Sequence, residues 1–256
     1  MASTLRSLGV AVLSSGFNPR SLRHLKKLRR YFRDRKAFVA KGGRVDVDYP
    51  ILTDFDSNAG SGSGQYFHQD LLVAQFIHDA KPARHLDIGS RIDGFVAHVA
   101  TFRPIEVIDI RPMRPSVHPN IRYAMLDLIE GDVAAFGQAD SVSCLHAIEH
   151  FGLGRYGDPL DPDGHKHGFA NIARLVAPGG RLYISFPVGR TTEVYFNAHR
   201  CFAARDIFDW GEAITDFTLE RFDWVDEQGE LRPNGTPEDA AEYRYVLGIY
   251  TLRRNG

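Results

Sequence analysis

A chain of 256 residues, 43% apolar and 25% charged, has the balance of a large globular α/β domain with an extension, which excludes a disordered or fibrous chain. Two cysteines, Cys144 in an apolar run and Cys201, exclude a disulfide framework and favour a reducing cytosol, and no apolar run reaches the roughly 18 residues that span a bilayer. The net charge of −1 hides an asymmetry: 12 Lys/Arg against the single acid Asp34 up to Arg44, then 19 basic and 31 acidic residues in the remainder.

In chain order, "SLGVAVLSSG" is short for a signal segment and leads into basic residues, so it reads as retained. In "RSLRHLKKLRRYFRDRKAF", Leu22, Leu25, Leu28 and Phe32 recur at helical spacing amid Arg and Lys, and residues 1–44 are expected to form a basic helical extension. Residues 20–36 suit an anionic membrane surface and, equally, packing on the protein's own domain. Nucleic acid is not expected as a partner, because neither regular aromatic interleaving nor a known binding motif is present. Residues 45–82 read as linker and lid: a Gly/Ser run, then the helical pattern of Leu71, Leu72, Ala74, Gln75, Phe76 and Ile77.

Residues 83–256 read as one catalytic domain. Strand and helix signals alternate through "RHLDIG", "DGFVAHVATF", "IEVIDI", "IRYAML", "ADSVSCL", "HGFANIARLVA" and "GRLYISFP". Alternation of this kind predicts βαβ units around a mostly parallel sheet. The runs "AITDFTLERFDWV" and "EYRYVLGIYTLRR" predict an antiparallel pair closing one edge, with Trp210 and Trp224 as core residues.

Ligands of such a sheet bind beyond its carboxyl strand ends. The first turn, "LDIGSRIDG", offers Asp87, Gly89, Ser90, Arg91 and Gly94: Gly89 for a tight turn, Asp87 for a cationic partner such as an amino or sulfonium group, and Asp93 as the cap of the next helix. The dinucleotide fingerprint G-x-G-x-x-G is missing. Asp109, ending the next strand, suits both hydroxyls of a ribose, and Asp127, after the third, suits an exocyclic amine.

This order resembles the class I S-adenosylmethionine-dependent methyltransferases from about His85 to Pro187, with "CLHAIEH" after the fourth strand and "ARLVAPGGRLYISFP" as helix, Pro-Gly-Gly turn and fifth strand. Ser90 and Arg91 depart from the second glycine usual in the first motif. More narrowly, "GQYFHQDLLVAQFI", "HLDIGSRIDGFVAH", "IDIRP", "HAIEHFGLGRYGDPLDPDGH" and "FNAHRCF" resemble a methyltransferase-like family first described from nematode proteins, whose bacterial members often look like parts of surface-polysaccharide gene sets. The resemblance implies a Rossmann-like fold with a mostly parallel seven-stranded sheet and an antiparallel C-terminal pair. It also implies S-adenosylmethionine as cofactor, held by the residues above with Ile110, Leu128, Leu145 and Tyr66, the last in a lid with Gln65 and His68.

The stretch "HAIEHFGLGRYGDPLDPDGHKHG" (146–168) spells H-x-x-E-H, a zinc-peptidase signature that requires a stable helix. A strand before it and "FGLG" after it leave no room for one. In the methyltransferase reading His150 is the first choice for the base, His146 the second, and Glu149 orients a histidine or binds a sugar hydroxyl. Arg155, Tyr156, Asp158, His165 and His167, with Asn197, His199 and Arg200, are then expected to hold the acceptor. A divalent metal at Glu149, His150 and Asp158 is a minor alternative, and none is expected. The resulting expectation is a cytoplasmic O-methyltransferase, at the inner face of the membrane if the basic helix binds there. Its substrate is a sugar of a surface glycan or a lipid-linked precursor. The alternatives are a methyltransferase of another small molecule and a non-catalytic relative.

Overall fold

The computed structural model describes residues 19–114 and 118–256, so the apolar N-terminal stretch lies outside the described residues. Two compact units divide after Ser61. In the first, 3-10 turns over Pro19–Lys27 run into helix α1, Leu28–Ala40. None of the residues of α1 is buried, and Leu22, Leu25 and Phe32 are each more than half exposed. The segment after the helix folds back through polar contacts: Arg35 and the Tyr31 hydroxyl meet the Asp48 carboxylate at 2.5 and 2.8 Å, and the Arg30 guanidinium lies 4.3 Å from the Phe55 ring centre.

The second unit contains helix α2 (Gln65–Ala80), strands β1 (His85–Ile88), β2 (Ile105–Asp109), β3 (Ile121–Met125) and β4 (Ala139–Leu145), and helix α4 (Gly164–Leu175). A short helix α3, Ala97–Ala100, separates β1 from β2. Strands β5 (Val176–Gly189), β6 (Glu193–Tyr195), β7 (His199–Ala203), β8 (Phe217–Val225), β9 (Leu231–Gly235) and β10 (Val246–Arg254) follow, with helix α5 at Pro237–Ala241.

The sheet order is β3-β2-β1-β4-β5-β10-β8-β9. The first five strands are parallel; β10 runs antiparallel to both β5 and β8, as the two C-terminal runs predicted. Beyond the seven expected strands, β9 adds an edge strand on β8, and the β6–β7 hairpin joins the end of β5. All four residues of β1 and the last eight of β5 are buried, the mark of strands covered on both faces. Alternation sends Val107, Leu145, Tyr183 and Ile249 to a core with α2 and α3. Leu86, Val142, Phe186 and Tyr250 go to the other core, with α4 and Trp210. Between Ala139 and Ser141 the β4–β5 register slips, where Ala177–Gly180 bulges out of β5 and Gly179 turns at φ +73°.

Strand order reverses at β1, whose successor β2 lies on one side while β4 lies on the other, so a crevice opens beyond their carboxyl ends. Phe186 locks the core beneath it, with ring centres of Tyr250, Phe202 and Trp210 at 5.0, 5.2 and 5.2 Å. Phe186→Ala should therefore cost about 3–5 kcal/mol in urea unfolding, and a loss under 1 kcal/mol would refute this packing role.

Candidate active site

A cavity of about 690 Å³ occupies that crevice. Its floor is the turn after β1. Gly89 sits at φ +68°, and a Cβ there would press on the Ala147 Cβ at 3.0 Å, so only glycine lets the turn approach β4 and leave its peptide facing the cavity. Ser90, Arg91, Ile110, Leu128 and Tyr66 line the wall. Asp87 does not. It is fully buried beneath the turn, accepting from the Ser90 amide at 3.1 Å and from the Ser90 and Ser143 hydroxyls at 2.6 Å each. Burial pushes its carboxyl up to about 7. The expected cationic partner is thus replaced by hydroxyls, and Asp87 holds the turn rather than a ligand.

Two further first-turn assignments are corrected. Gly94 lies outside the cavity wall: a Cβ on it would meet the Asp70 carboxylate of α2 at 2.7 Å, so this glycine serves helix packing. Asp93 does not cap the helix; it is exposed and pairs with Arg91 at 3.1 Å, while the chain passes through a wide turn, Ile92–Val96, before α3. Leu145 is also corrected, since the alternation of β4 turns it into the core.

Asp109 and Asp127 line the far end of the cavity with Ile110, Leu128 and Ile129. One Asp127 oxygen accepts the Ile129 amide at 2.8 Å. The Asp109 carboxylate is gripped on both oxygens by the Arg111 side chain, with the Arg111 amide donating to it at 2.8 Å.

At the near end, His146 stands in a left-handed conformation, φ +51°. Its amide donates to the Ser185 carbonyl at 3.0 Å and the Ser185 hydroxyl at 3.2 Å, and that hydroxyl donates to buried Gln69 of α2. His146 Nδ1 lies 2.9 Å from Glu149 Oε1, and Glu149 is 1% exposed. Burial opposes charge on Glu149, but the His146 hydrogen bond and the imidazoles of His146 and His150 outweigh it and hold the carboxyl below its usual range. His146 Nε2 and Glu149 Oε2 are buried with no hydrogen-bond partner among the described residues. His150 directs Nδ1 to the Ala198 carbonyl at 2.6 Å, which leaves Nε2 as the basic nitrogen, and burial lowers its pKa.

Arg155, Tyr156, Asp158 and His199 line the same cavity, and four other expected acceptor residues do not. His165 is buried between Phe202 and Trp210, at 5.1 and 5.2 Å between ring centres. His167 is exposed and pairs with Asp161 at 2.6 Å. Arg200 is buried and spends its guanidinium on the carbonyls of Phe151, Asp161 and Pro162, shaping the loop. Asn197 occupies the β6–β7 turn at φ +62°, the conformation asparagine tolerates best. His68 of the expected lid likewise lies outside the wall, while Gln65 and Tyr66 line it.

Tyr245 was not foreseen. It lines the cavity with its hydroxyl 3.3 Å from His199 Nε2, and burial raises its pKa. Only the β5–β10 register, which pairs Val246 with Val188, brings it there. The H-x-x-E-H stretch forms a single 3-10 turn, Ile148–His150, so its histidines do not share a helix face. Among the described residues no group of three His, Cys, Asp or Glu could hold a metal.

A parallel 3-2-1-4-5 half followed by an antiparallel strand inserted between the fifth and the next defines the Rossmann-like class I methyltransferase fold. Residues 123–230 match the family described as "Caenorhabditis protein of unknown function, DUF268", which the sequence motifs resemble. Among solved structures, the chain is similar to the [4+2]-cyclase SpnF (TM-score 0.53, 12% identity, 77% of this chain and 86% of that one). It is also similar to the N-methyltransferase NodS of Bradyrhizobium japonicum WM9 in complex with S-adenosylhomocysteine (TM-score 0.48, 15% identity, 82% and 94%). A third is an S-adenosylmethionine-dependent methyltransferase of Clostridium acetobutylicum ATCC 824 (TM-score 0.48, 10% identity, 90% and 100%). No curated protein matches the chain.

Burial drops His165 from an ordinary 6.5 to about 4. Because the folded pKa is the lower one, its contribution to stability is whole above pH 6.5 and fades as pH falls toward 4. His165→Phe should remove up to about 3 kcal/mol of acid destabilisation over that window. Unfolding curves at pH 7 and pH 4.5 check this, and parallel losses in both proteins would contradict it.

Proposed function

We propose that the protein transfers the methyl group of S-adenosylmethionine to a hydroxyl of a sugar in a surface glycan or its lipid-linked precursor. The observation that carries this reading is one cavity with nucleotide-type acceptors, Asp109 and Asp127, at one end and a buried histidine–carboxylate pair, His146 and Glu149, at the other.

The residues fit the cofactor. Gly89 would let the backbone approach the methionine end, Asp109 would accept from ribose hydroxyls, Asp127 would accept from the adenine amine, and Ile110 and Leu128 would flank the base. Tyr66, from the first turn of α2, lies over the His146 ring at 4.6 Å and narrows the entrance. When bound, the cofactor supplies an electrophilic methyl on a cationic sulfur. The chain's task is to hold the acceptor oxygen in line with that carbon and take its proton.

His146 is the better base of the two histidines. Its Nδ1 lies against the Glu149 carboxylate, its buried Nε2 has no partner among the described residues, and its side chain belongs to the cavity wall; the carboxylate is placed to stabilise the imidazolium that forms when the acceptor's proton is taken. His150, tied to Ala198, stands 3.7 Å from Glu149 and shares its charge. Arg155, Asp158 and His199 offer donors and acceptors, and Tyr156 an aromatic face, the mixture that suits a sugar.

His146→Gln should keep S-adenosylhomocysteine binding in calorimetric titration and lose about 10²–10⁴-fold in turnover with a glycan acceptor. Binding of the cofactor product by neither protein would end the methyltransferase reading. Retained turnover in the variant would transfer the base's role to His150.

The composition of the first unit supports a substrate met at a membrane surface. Basic side chains and the exposed Leu22, Leu25 and Phe32 make α1 and its leading turns suited to an anionic membrane surface, which would bring the enzyme to a lipid-linked acceptor. Replacing the Arg and Lys residues of 20–36 by Gln should release the protein from anionic liposomes in a flotation assay; undiminished flotation would remove this role.

A further inference from the structure

Asp109 and Arg111 stand in a relation the cofactor reading does not require. Arg111 donates three groups to one carboxylate: its amide and Nε to Oδ1 at 2.8 and 2.9 Å, and Nε again, at 3.1 Å, with a terminal nitrogen to Oδ2. Each oxygen is thus met twice, but the one Nε hydrogen is shared between them, so three hydrogens occupy a carboxylate with about four lone-pair sites and leave room for only one more donor. A ribose diol on Asp109 has to take some of those positions from Arg111.

The guanidinium has other ties. A terminal nitrogen donates to the Gly89 carbonyl at 3.3 Å, and the Tyr123 hydroxyl donates to the Arg111 carbonyl, anchoring the backbone. Its plane lies 4.6 Å from the ring centre of Tyr156. Tyr156 belongs to the acceptor loop, and its ring also meets His150 edge-on at 5.5 Å and Arg155 at 5.1 Å. One side chain therefore touches the ribose acceptor, the floor of the cofactor cavity and the loop over the catalytic histidines.

We infer that Arg111 couples ribose recognition to the acceptor loop, competing internally for Asp109 and carrying Tyr156 with it when it yields. This rests on the methyltransferase reading for the identity of the ribose. Arg111 is a positioning residue: cofactor bound at Asp109 draws the guanidinium off the carboxylate, and the loop that orients the acceptor is reset in the same event. Acceptor binding then follows cofactor binding, since the final position of Tyr156 depends on it. The internal competitor scales the apparent affinity for cofactor down to the fraction of time it leaves the carboxylate free.

The test uses the full chain with Arg111→Met, which keeps the stem and removes the fork, and Arg111→Lys, which keeps the cation and protects folding if an unpaired Asp109 proves too costly. Calorimetry with S-adenosylhomocysteine should show the Met variant binding roughly tenfold more tightly than wild type, with Lys between them. Without ligand, trypsin should cut after Arg155 several-fold faster in both variants, because Tyr156 has lost its support. Weaker product binding in both variants, or unchanged cleavage at Arg155 with normal binding, overturns the coupling alone. Faster cleavage with no S-adenosylhomocysteine binding by any of the proteins, wild type included, overturns the cofactor reading and the ribose half of the inference with it.

Discussion

Everything on the working side of this molecule hangs on a carboxylate that never reaches it. Asp87 is sealed between β1 and β4, with hydroxyls of Ser90 and Ser143 in place of a counter-ion. A buried carboxylate is tolerated only while every donor is in place. That need fixes the turn at Ser90, and with it the left-handed Gly89 that fits against Ala147. The chain of partners continues through Ser143 to His85, itself bonded to Ser141, so that one polar line crosses the first and fourth strands. His85 is fully buried and lowered to about 3, hence neutral, and adds hydrogen bonds without a second charge.

A second buried line serves the histidines. From Asp70 through Gln69 to the Ser185 hydroxyl and on to the His146 amide, it runs from α2 to the turn that bears His146. His146 pays backbone strain for its position, and this line is what holds it there. The cavity is thereby framed by two buried hydrogen-bond networks, one under the Gly89 turn and one beside the histidines.

The sheet was largely legible because its strands are short, apolar and bounded by turn residues, and the antiparallel C-terminal pair could be read from its two β-rich runs. The strand-end acids were legible by position, though not their partners. Asp87 and Asp109 look alike in sequence, as the last or nearly last residue of a strand, and the β1–β2 register puts both on one face; Asp109 lies two places nearer the carboxyl edge, in the cavity wall, while Asp87 stays beneath the turn. The histidines divide for a similar reason: His146 and His150 precede the loop, whereas His165 and His167 fall within the first turn of α4, where helical periodicity sends one into the core and one to solvent. Arg200 resembled an anion-binding residue until the loop carbonyls it satisfies were visible. Tyr245 carried no local signal, because its position depends on pairing between strands more than fifty residues apart.

The added strand β9 governs what happens at the sheet's outer margin. It is five residues long, it contains Pro233, which has no N–H to offer a neighbour, and its pairing with β8 slips in register. Arg232 is bound back onto Asp226 at 2.8 Å. A margin built this way gives another polypeptide no continuous ladder to extend, so the long β5-β10-β8 surface ends without inviting the chain-to-chain pairing that leads to aggregates.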